Sequence, residues 1–472
     1  MTSTAGSDGT FTLAAAGDAI ATRPFAVHED PRFQDVIDRV RAADASVVNL
    51  EVLLHDYEGY PAANSGGTYM RAPPRIADEL SWAGFDLFAA ATNHAGDYSH
   101  GGMEATMRAL EDRDLAYAGL GRTLADARSP AYVETPAGRV ALVSACTTIT
   151  PGTEAGEQRP DLHGRPGLAP LRLETRYVVP EETQEAVVEL SENLGLEAVK
   201  DRRERRGFRV PGENVDAFTF VNVGGETHLQ FETGDEFAVR RTVTEDDLAA
   251  FRRQVAAADR QADFVVASVH AHEGADGFKN DRSVPPFLEG VARDAVEAGA
   301  DAVVGHGPHL LRGIEIYDGA PIFYSLGDFF MQNETVTRLP AEIYDRYGLD
   351  PLDAVPADLF DERVFETAGE SEEGADADDT DEADESPARI GFLSDSGYWE
   401  SVLPVCTFED GDLARIELHP LDLGFENGRP RRGRPSLAEG ETASRILKGL
   451  ADLSAPYDTD IAIEDGRGVV TP

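Results

Sequence analysis

The sequence predicts an α/β protein, and three observations carry that prediction. Short apolar runs alternate with stretches of helical periodicity; the runs end in ligand-type polar residues; and nowhere do 18 apolar residues follow one another. A rhythm of this kind builds a sheet whose functional residues collect along the carboxyl edge of its strands.

Residues 11–16 form the first predicted strand, which ends at Gly17-Asp18. Helical spacing follows over 35–43, and SVVNLE at 46–51 reads as a second buried strand ending in a carboxylate. After a loop rich in Gly, Pro and Asn, a helix starting near Pro74 leads to a strand over 85–91 that ends at Thr92-Asn93-His94. A helix over 102–112 and strands around Tyr117 and over 140–146 follow. From 151 to 247 the rhythm is lost: a charged helical stretch at 180–205 sits among β-like pieces such as AFTFV at 217–221. This segment reads as an insertion, either a lid or substrate-binding subdomain over the site or a surface elaboration.

The core resumes with a helix over 245–259 and a strand over 263–269, which ends in His270-Ala271-His272. A helix over 286–298 leads to Ala302-Val303-Val304, which breaks into Gly305-His306-Gly307-Pro308-His309. The run GESEEGADADDTDEADE at 369–385 has no core-forming side chain beyond alanine, so 362–390 is expected to be an acidic disordered loop. Strands over 398–408 and 413–418, a helix over 437–453 and a strand near 461–463 close a single domain spanning 10–472.

Lys+Arg 42 against Asp+Glu 87 leaves a net charge of −45, and only Lys200, Lys279 and Lys448 are lysines. Such a surface repels nucleic acid and anionic membrane, which excludes both as partners. Its self-repulsion is tolerable where the Debye length is short, about 3 Å at 1 M salt, so a high-salt cytoplasm is expected. The plainer alternative is an ordinary acidic protein inflated by one acidic loop. Cys146 and Cys406, each inside an apolar run, read as two buried thiols. The N-terminus has neither a basic leader nor a long apolar stretch, so a soluble cytoplasmic protein without a transmembrane segment is expected. The sequence assigns no oligomeric state.

Asp18, Glu51, Asn93, His270, His306 and His309 all fall just after apolar strands. Singly, each has a plainer reading as a cap, an Asx turn or a turn residue. Together they form a mixed oxygen and nitrogen ligand set, which suits divalent Mn, Zn or Fe better than an all-oxygen Mg or Ca site. Two such ions about 3.5–4 Å apart would bind a phosphoryl oxygen and activate a water. His94, beside Asn93 but on the opposite side of the backbone, is placed to protonate a leaving oxygen. Alternation turns His272 to the face of His270, where it is either a supporting partner or merely solvated; it is left out of the ligand set. His28, His55, His100, His163, His228 and His419 lack the strand-end context and read as surface or structural residues.

GDAI, VVNLE, ATNHAGDYSHGG, SVH and above all AGADAVVGHGPHLLRGIEIYDGAPIFYSLGDFF resemble the CapA family, known from poly-γ-glutamate capsule biosynthesis and part of the calcineurin-like metallophosphoesterase superfamily. The likeness covers 10–150 and 260–330, and more weakly 398 to the end. It implies a four-layer α/β/β/α sandwich holding two metals, with Asp18 on the first, Glu51 as the bridge, Asn93 and His270 on the second, His306 and His309 completing the set, and His94 as the acid. Asp97 would orient His94 or its loop. The chain departs from the superfamily pattern where Ile20 replaces a histidine and Glu51 an aspartate, and where the last motif is stretched to Gly-His-Gly-Pro-His. Asp328 replaces an asparagine usual in the family.

The resemblance implies a metal-dependent hydrolase of a phosphoester or a γ-glutamyl amide bond, linked to poly-γ-glutamate or cell-surface polymer metabolism. Its substrate would be an anionic small molecule or polymer; Arg23, Arg71 and Arg312 are candidates to meet it, against the plainer reading of arginines on an acidic surface as ion-pair partners. The alternative is a non-catalytic accessory or scaffold subunit of a polymer synthesis or export machinery.

Overall fold

Alternation along the first strand decides how the chain is layered. In Thr10–Ile20, Phe11, Leu13 and Ala15 point into one apolar core while Ala16 and Ile20 point into another, as the two-residue period of a strand requires. Ala45–Asn49 divides in the same way, with Val47 on the first side and Val48 on the second. The computed structural model describes residues 9–208, 217–221, 228–275, 277–364 and 394–472.

Two sheets follow from this. The larger has ten strands and runs Ala462–Glu464, Arg467–Val470, Asp412–Asp422, Glu400–Glu409, Thr10–Ile20, Ala45–Asn49, Leu87–Ala89, Ala116–Ala118, with Asp328–Met331 also paired to the first strand and Ser436–Leu437 to Asp412–Asp422. The smaller has six, in the order Ile314–Tyr317, Ala320–Phe323, Ala302–His306, Phe264–His270, Gly138–Cys146, Ala131–Thr135. Leu13, Val47 and Leu87 of the first sheet meet Val140, Leu142, Val266 and Val304 of the second in one core, joined by Ile446 and Leu450 of the helix Gly440–Ser454. Burying an aliphatic side chain of this kind stabilises by roughly 1.5–3 kcal/mol, so the shared core holds the sheets face to face. The far side of the large sheet is covered by the helices Pro31–Ala42 and Ile76–Trp82 through Phe33, Val36, Ile37, Ile76 and Leu80.

Register then brings the polar residues together. Asp18 stands opposite Asn49 on one neighbouring strand and Asp328 on the other. In the second sheet His270 stands opposite His306. Asp18, Asn49, His270 and His306 lie at or near the carboxyl ends of parallel strands, where ligand sites of α/β sheets form, and Asp328 joins them from the first position of the strand Asp328–Met331.

Residues 171–248 form a separate compact unit, with a four-stranded sheet ordered Phe218–Val221, His228–Thr233, Leu173–Val179, Ala238–Val243 and the helices Glu181–Asn193 and Leu196–Arg205. Residues 151–170 belong to the main unit, where Gly167–Leu168 pairs with Leu120–Gly121. The helix Pro356–Val364 includes the first residues of the expected acidic loop, and 365–393 lie outside the described residues. Cys146 and Cys406 are both buried free thiols. Among the described residues no helix is long and apolar enough to cross a membrane.

The approach of the first strand to Gly327 is unusually close. The Asp18 amide donates to the Gly327 carbonyl at 3.0 Å, and a Cβ on Gly17 would fall 1.8 Å from that oxygen. Gly17→Ala is therefore expected to destabilise the protein by about 1–3 kcal/mol through forced backbone shifts. Gly290→Ala, on an exposed helical position with nothing within 4 Å of the added carbon, is expected to stabilise by roughly 0.5–1 kcal/mol. Urea unfolding of the two variants beside the parent checks both signs.

Candidate metal centre

The turn after Ala302–His306 fixes the last two histidines. Gly307 has φ 119° and His309 φ 59°, so the chain twists twice through left-handed backbone within three residues. The reversal turns the Gly307 amide onto Asp18 Oδ2, to which it donates at 2.9 Å. Asn49 Nδ2 donates to the other oxygen, Oδ1, at 2.6 Å.

Around Asp18 two groups of ligand-type atoms converge. In the first, His270 Nδ1 and His306 Nδ1 are 2.9 Å apart and lie 3.8 Å and 3.7 Å from Asp18 Oδ1. In the second, Glu51 Oε1 lies 3.9 Å from His272 Nε2, and Glu51 Oε2 lies 3.8 Å from His309 Nδ1. The groups touch: His309 Nδ1 is 3.7 Å from Asp18 Oδ2, Asp328 Oδ1 is 2.8 Å from His309 Nδ1, and His270 Nε2 is 3.1 Å from His272 Nε2 and 2.9 Å from Asn93 Oδ1.

Several rings are held from behind. Ser268 Oγ stands 2.6 Å from His306 Nε2, and His272 Nδ1 donates to Asn280 Oδ1 at 2.6 Å. Each leaves its opposite nitrogen facing the cluster, the arrangement by which supporting groups orient metal-ligating imidazoles.

Burial sets the charges. It pushes Asp18 up to about 7, and raises Glu51 and Asp328 well above the ordinary carboxylate range, with Asp18 and Asp328 adding repulsion at Glu51. It lowers His306 to about 3 and His309 to about 4, and takes His270 and His272 well below the usual imidazole value. Neutral imidazoles are the form that binds a metal. Glu51 is wholly buried, yet neither carboxylate oxygen has a hydrogen-bond partner, and Asp328 Oδ2 has none either. Orphaned buried oxygens facing imidazole nitrogens are what a divalent cation would satisfy, so these residues fit one.

His94 stands beside this cluster. Its Nδ1 donates to Asp97 Oδ2 at 2.7 Å, and Asp97 also accepts from the Met70 amide at 2.6 Å and the Gly66 amide at 3.1 Å. Asp97 thus engages both the imidazole and the loop 66–70. Asn93 Nδ2 donates to the Gly66 carbonyl at 3.2 Å. His94, Asn93, His272 and His309 open together on a cavity of about 230 Å³, which Ile20 also lines.

All eight residues singled out from the sequence are therefore neighbours, and two readings need correction. His272 is not solvated: it is 5% exposed and faces Glu51. The strand ends at His270, and the His272 amide donates to Thr148 Oγ1 at 2.9 Å, which keeps the ring buried beside His270. Nor is Arg312 available to a substrate. It is fully buried, and its guanidinium donates to the carbonyls of Glu273 at 2.7 Å, Asp281 at 2.9 Å and Ala271 at 3.3 Å, bracing the loop that carries His272 and Asn280. Arg71 donates to the His55 carbonyl and Asp56, Arg23 donates to the Pro430 carbonyl, and neither lines the cavity.

Residues 12–333 match the model of the family described as bacterial capsule synthesis protein PGA_cap. The chain belongs to the PGA_cap family. It is 35% identical over 463 residues to the protein y4sH of Sinorhizobium fredii, covering 98% of this chain and 93% of that one. It is 24% identical to the capsule biosynthesis protein CapA of Bacillus anthracis over 69% of this chain and 61% of that protein. The PGA biosynthesis protein CapA of Bacillus subtilis is 35% identical over 32% of this chain and 38% of its own. The PGA_cap match takes in every residue of the cluster, from Asp18 to Asp328, and ends at Asn333 on the rim of the cavity.

A cation entering this cluster must displace the protons that burial keeps on the carboxyls. Titrating chelator-treated protein with Zn²⁺ or Mn²⁺ at pH 7 is expected to release protons, read by calorimetry in buffers of different ionisation enthalpy. It is also expected to raise the melting temperature, the mass-action stabilisation being about 2.7 kcal/mol at 100 times Kd. For Asp18 the folded pKa is raised, so its contribution to apo stability is full below its unfolded value near 4 and lost as pH rises toward about 7. Apo Asp18→Asn should therefore melt higher than the apo parent at pH 7, with the gap closing toward pH 4, and should lose much of the metal-dependent rise.

Proposed function

We propose that this chain is a metal-dependent hydrolase that cleaves a phosphoester or a γ-glutamyl amide bond in capsule or other cell-surface polymer metabolism. The observation that carries this reading is the His94–Asp97 pair, set on the same cavity as the ligand cluster. A site that held metal for structure alone would have no use for an oriented imidazole beside it.

On this reading Asp18, Glu51, Asn93, His270, His272, His306, His309 and Asp328 hold one or two ions of Mn, Zn or Fe. Such ions would polarise the scissile phosphoryl or carbonyl group. His94 does the proton work: Asp97 accepts its Nδ1–H, which fixes the tautomer and leaves Nε2 to exchange a proton with the leaving oxygen or nitrogen. Asp97 also ties the loop 66–70 against His94, and Asn93 does the same through Gly66, so positioning and proton transfer depend on one carboxylate. A Cβ on Gly67 would come within 3.7 Å of His94 Cε1, so the bare glycine keeps that side of the ring open.

The two sheets with their outer helices support a four-layer α/β/β/α sandwich of the calcineurin-like type. Residues 171–248 would serve as a substrate-binding subdomain. The net charge of −45 supports a cytoplasm of high salt. The names of the two CapA relatives support a place in polymer synthesis, in which a hydrolase would trim or release chains.

Protein purified in high salt, loaded with each metal and offered phosphomonoesters, phosphodiesters and γ-linked glutamate oligomers tests the activity. Turnover that disappears on chelation supports the hydrolase; bound metal with no turnover of any class favours an accessory subunit instead. His94→Ala is expected to lower kcat by about 10²–10⁴ with metal content unchanged. Asp97→Asn should lower kcat and shift the pH–rate profile. Melting temperature is expected to rise between 0.1 and 2 M KCl as self-repulsion is screened.

A further inference from the structure

The cavity beside His94 differs in charge from the rest of the molecule. At 87 Asp and Glu in 472 residues, the chain average would put two or three acidic side chains among the fourteen that line it. There are none. Instead the lining includes Lys279, one of only three lysines in the chain, and Arg363, together with the amides Asn93, Asn280 and Asn333.

Both cations are carried by ordered structure. Lys279 is bridged backbone to backbone with Glu273, the Gly274 amide donates to the Phe278 carbonyl at 2.7 Å, and Arg312 holds the flanking carbonyls of Glu273 and Asp281. Asn280, next to Lys279, is the residue that orients His272. Arg363, near the end of the helix Pro356–Val364, donates from Nη1 to Thr68 Oγ1 at 2.8 Å and stands 5.7 Å from the Phe360 ring centroid. Thr68 takes one of the five N–H donors of a guanidinium.

We propose that Lys279 and Arg363 form an anion subsite that binds a carboxylate or phosphate of the substrate other than the group being cleaved. The proposal rests on the reading of the cavity as the substrate site. Long-range attraction cannot bring an anion to a protein of charge −45, and at high ionic strength the Debye length falls to about 3 Å, so contact cations must supply the recognition. A cavity of about 230 Å³ lies below the roughly 300–1,000 Å³ of drug-sized ligand pockets. It takes one unit of a polymer or a small metabolite, with the second anion within reach of the scissile bond. Carboxylate and phosphate share this chemistry, and a dicarboxylate and an inorganic probe separate them.

The test is calorimetric binding of inorganic phosphate and of glutarate to metal-loaded parent, Lys279→Ala, Lys279→Arg, Arg363→Ala and the remote control Lys448→Ala, at one ionic strength and with melts to confirm folding. Lys279→Ala and Arg363→Ala are each expected to weaken at least one probe about tenfold or more, Lys279→Arg to stay within about threefold of the parent, and Lys448→Ala to match it. Whichever probe shows the larger loss identifies the anion. Equal binding by the parent and both alanine variants would overturn the subsite. The two failures are separable: lysine-dependent binding without turnover of any substrate removes the hydrolase and keeps the subsite, whereas turnover with KM unmoved in both variants removes the subsite and keeps the hydrolase.

Discussion

Three carboxyls and four imidazoles buried together are a charge problem that the fold alone does not solve. Asp18, Glu51 and Asp328 are at most 1% exposed, and Glu51 meets no hydrogen-bond donor at either oxygen. Ionising such a group without a partner costs several kcal/mol. The protein escapes the cost by keeping the carboxyls protonated and the imidazoles neutral, or by holding a cation that inverts both tendencies. Much else in the molecule serves that cluster: the Gly17–Gly327 contact that seats Asp18, the twice left-handed turn at Gly307 and His309, and the buried Arg312 that anchors the loop of His272.

The packing of two sheets explains why the cluster can exist. One sheet brings the carboxylates, Asp18 near the end of its strand and Asp328 at the start of a parallel neighbour, and the other brings His270 and His306 from the carboxyl ends of its strands. The shared apolar core of Leu13, Val47, Val266 and Val304 holds those ends together. The members of the cluster come from segments more than 300 residues apart in sequence, from Asp18 to Asp328, so the fold as a whole sets their geometry.

Much of this was legible in the sequence because it depends on strand ends. A buried apolar run that stops at a ligand-type residue marks both the edge of a sheet and a member of the site, and that signal picked out Asp18, Glu51, Asn93, His270, His306 and His309. Where the chain leaves regular structure the signal fails. His272 does share the face of His270, but nothing after the strand end shows that it is buried there, and nothing in LLRG tells a guanidinium that faces backbone carbonyls from one that faces solvent. Lys279 and Arg363 were out of reach for another reason: they come from a loop and a helix unrelated in sequence, and only the fold puts them on one cavity. The rarity of lysine was the one available hint, since a residue used three times in 472 is worth locating.

If the cluster holds a metal, the ion must sit among these side chains. Anomalous diffraction from crystals of the purified protein, recorded across the Mn, Fe and Zn edges, tests this most directly. An anomalous peak is expected between Asp18, His270 and His306, between Glu51, His272 and His309, or at both. Well-ordered crystals grown with each metal in excess that showed these side chains hydrogen-bonded to one another, and no peak among them, would contradict it.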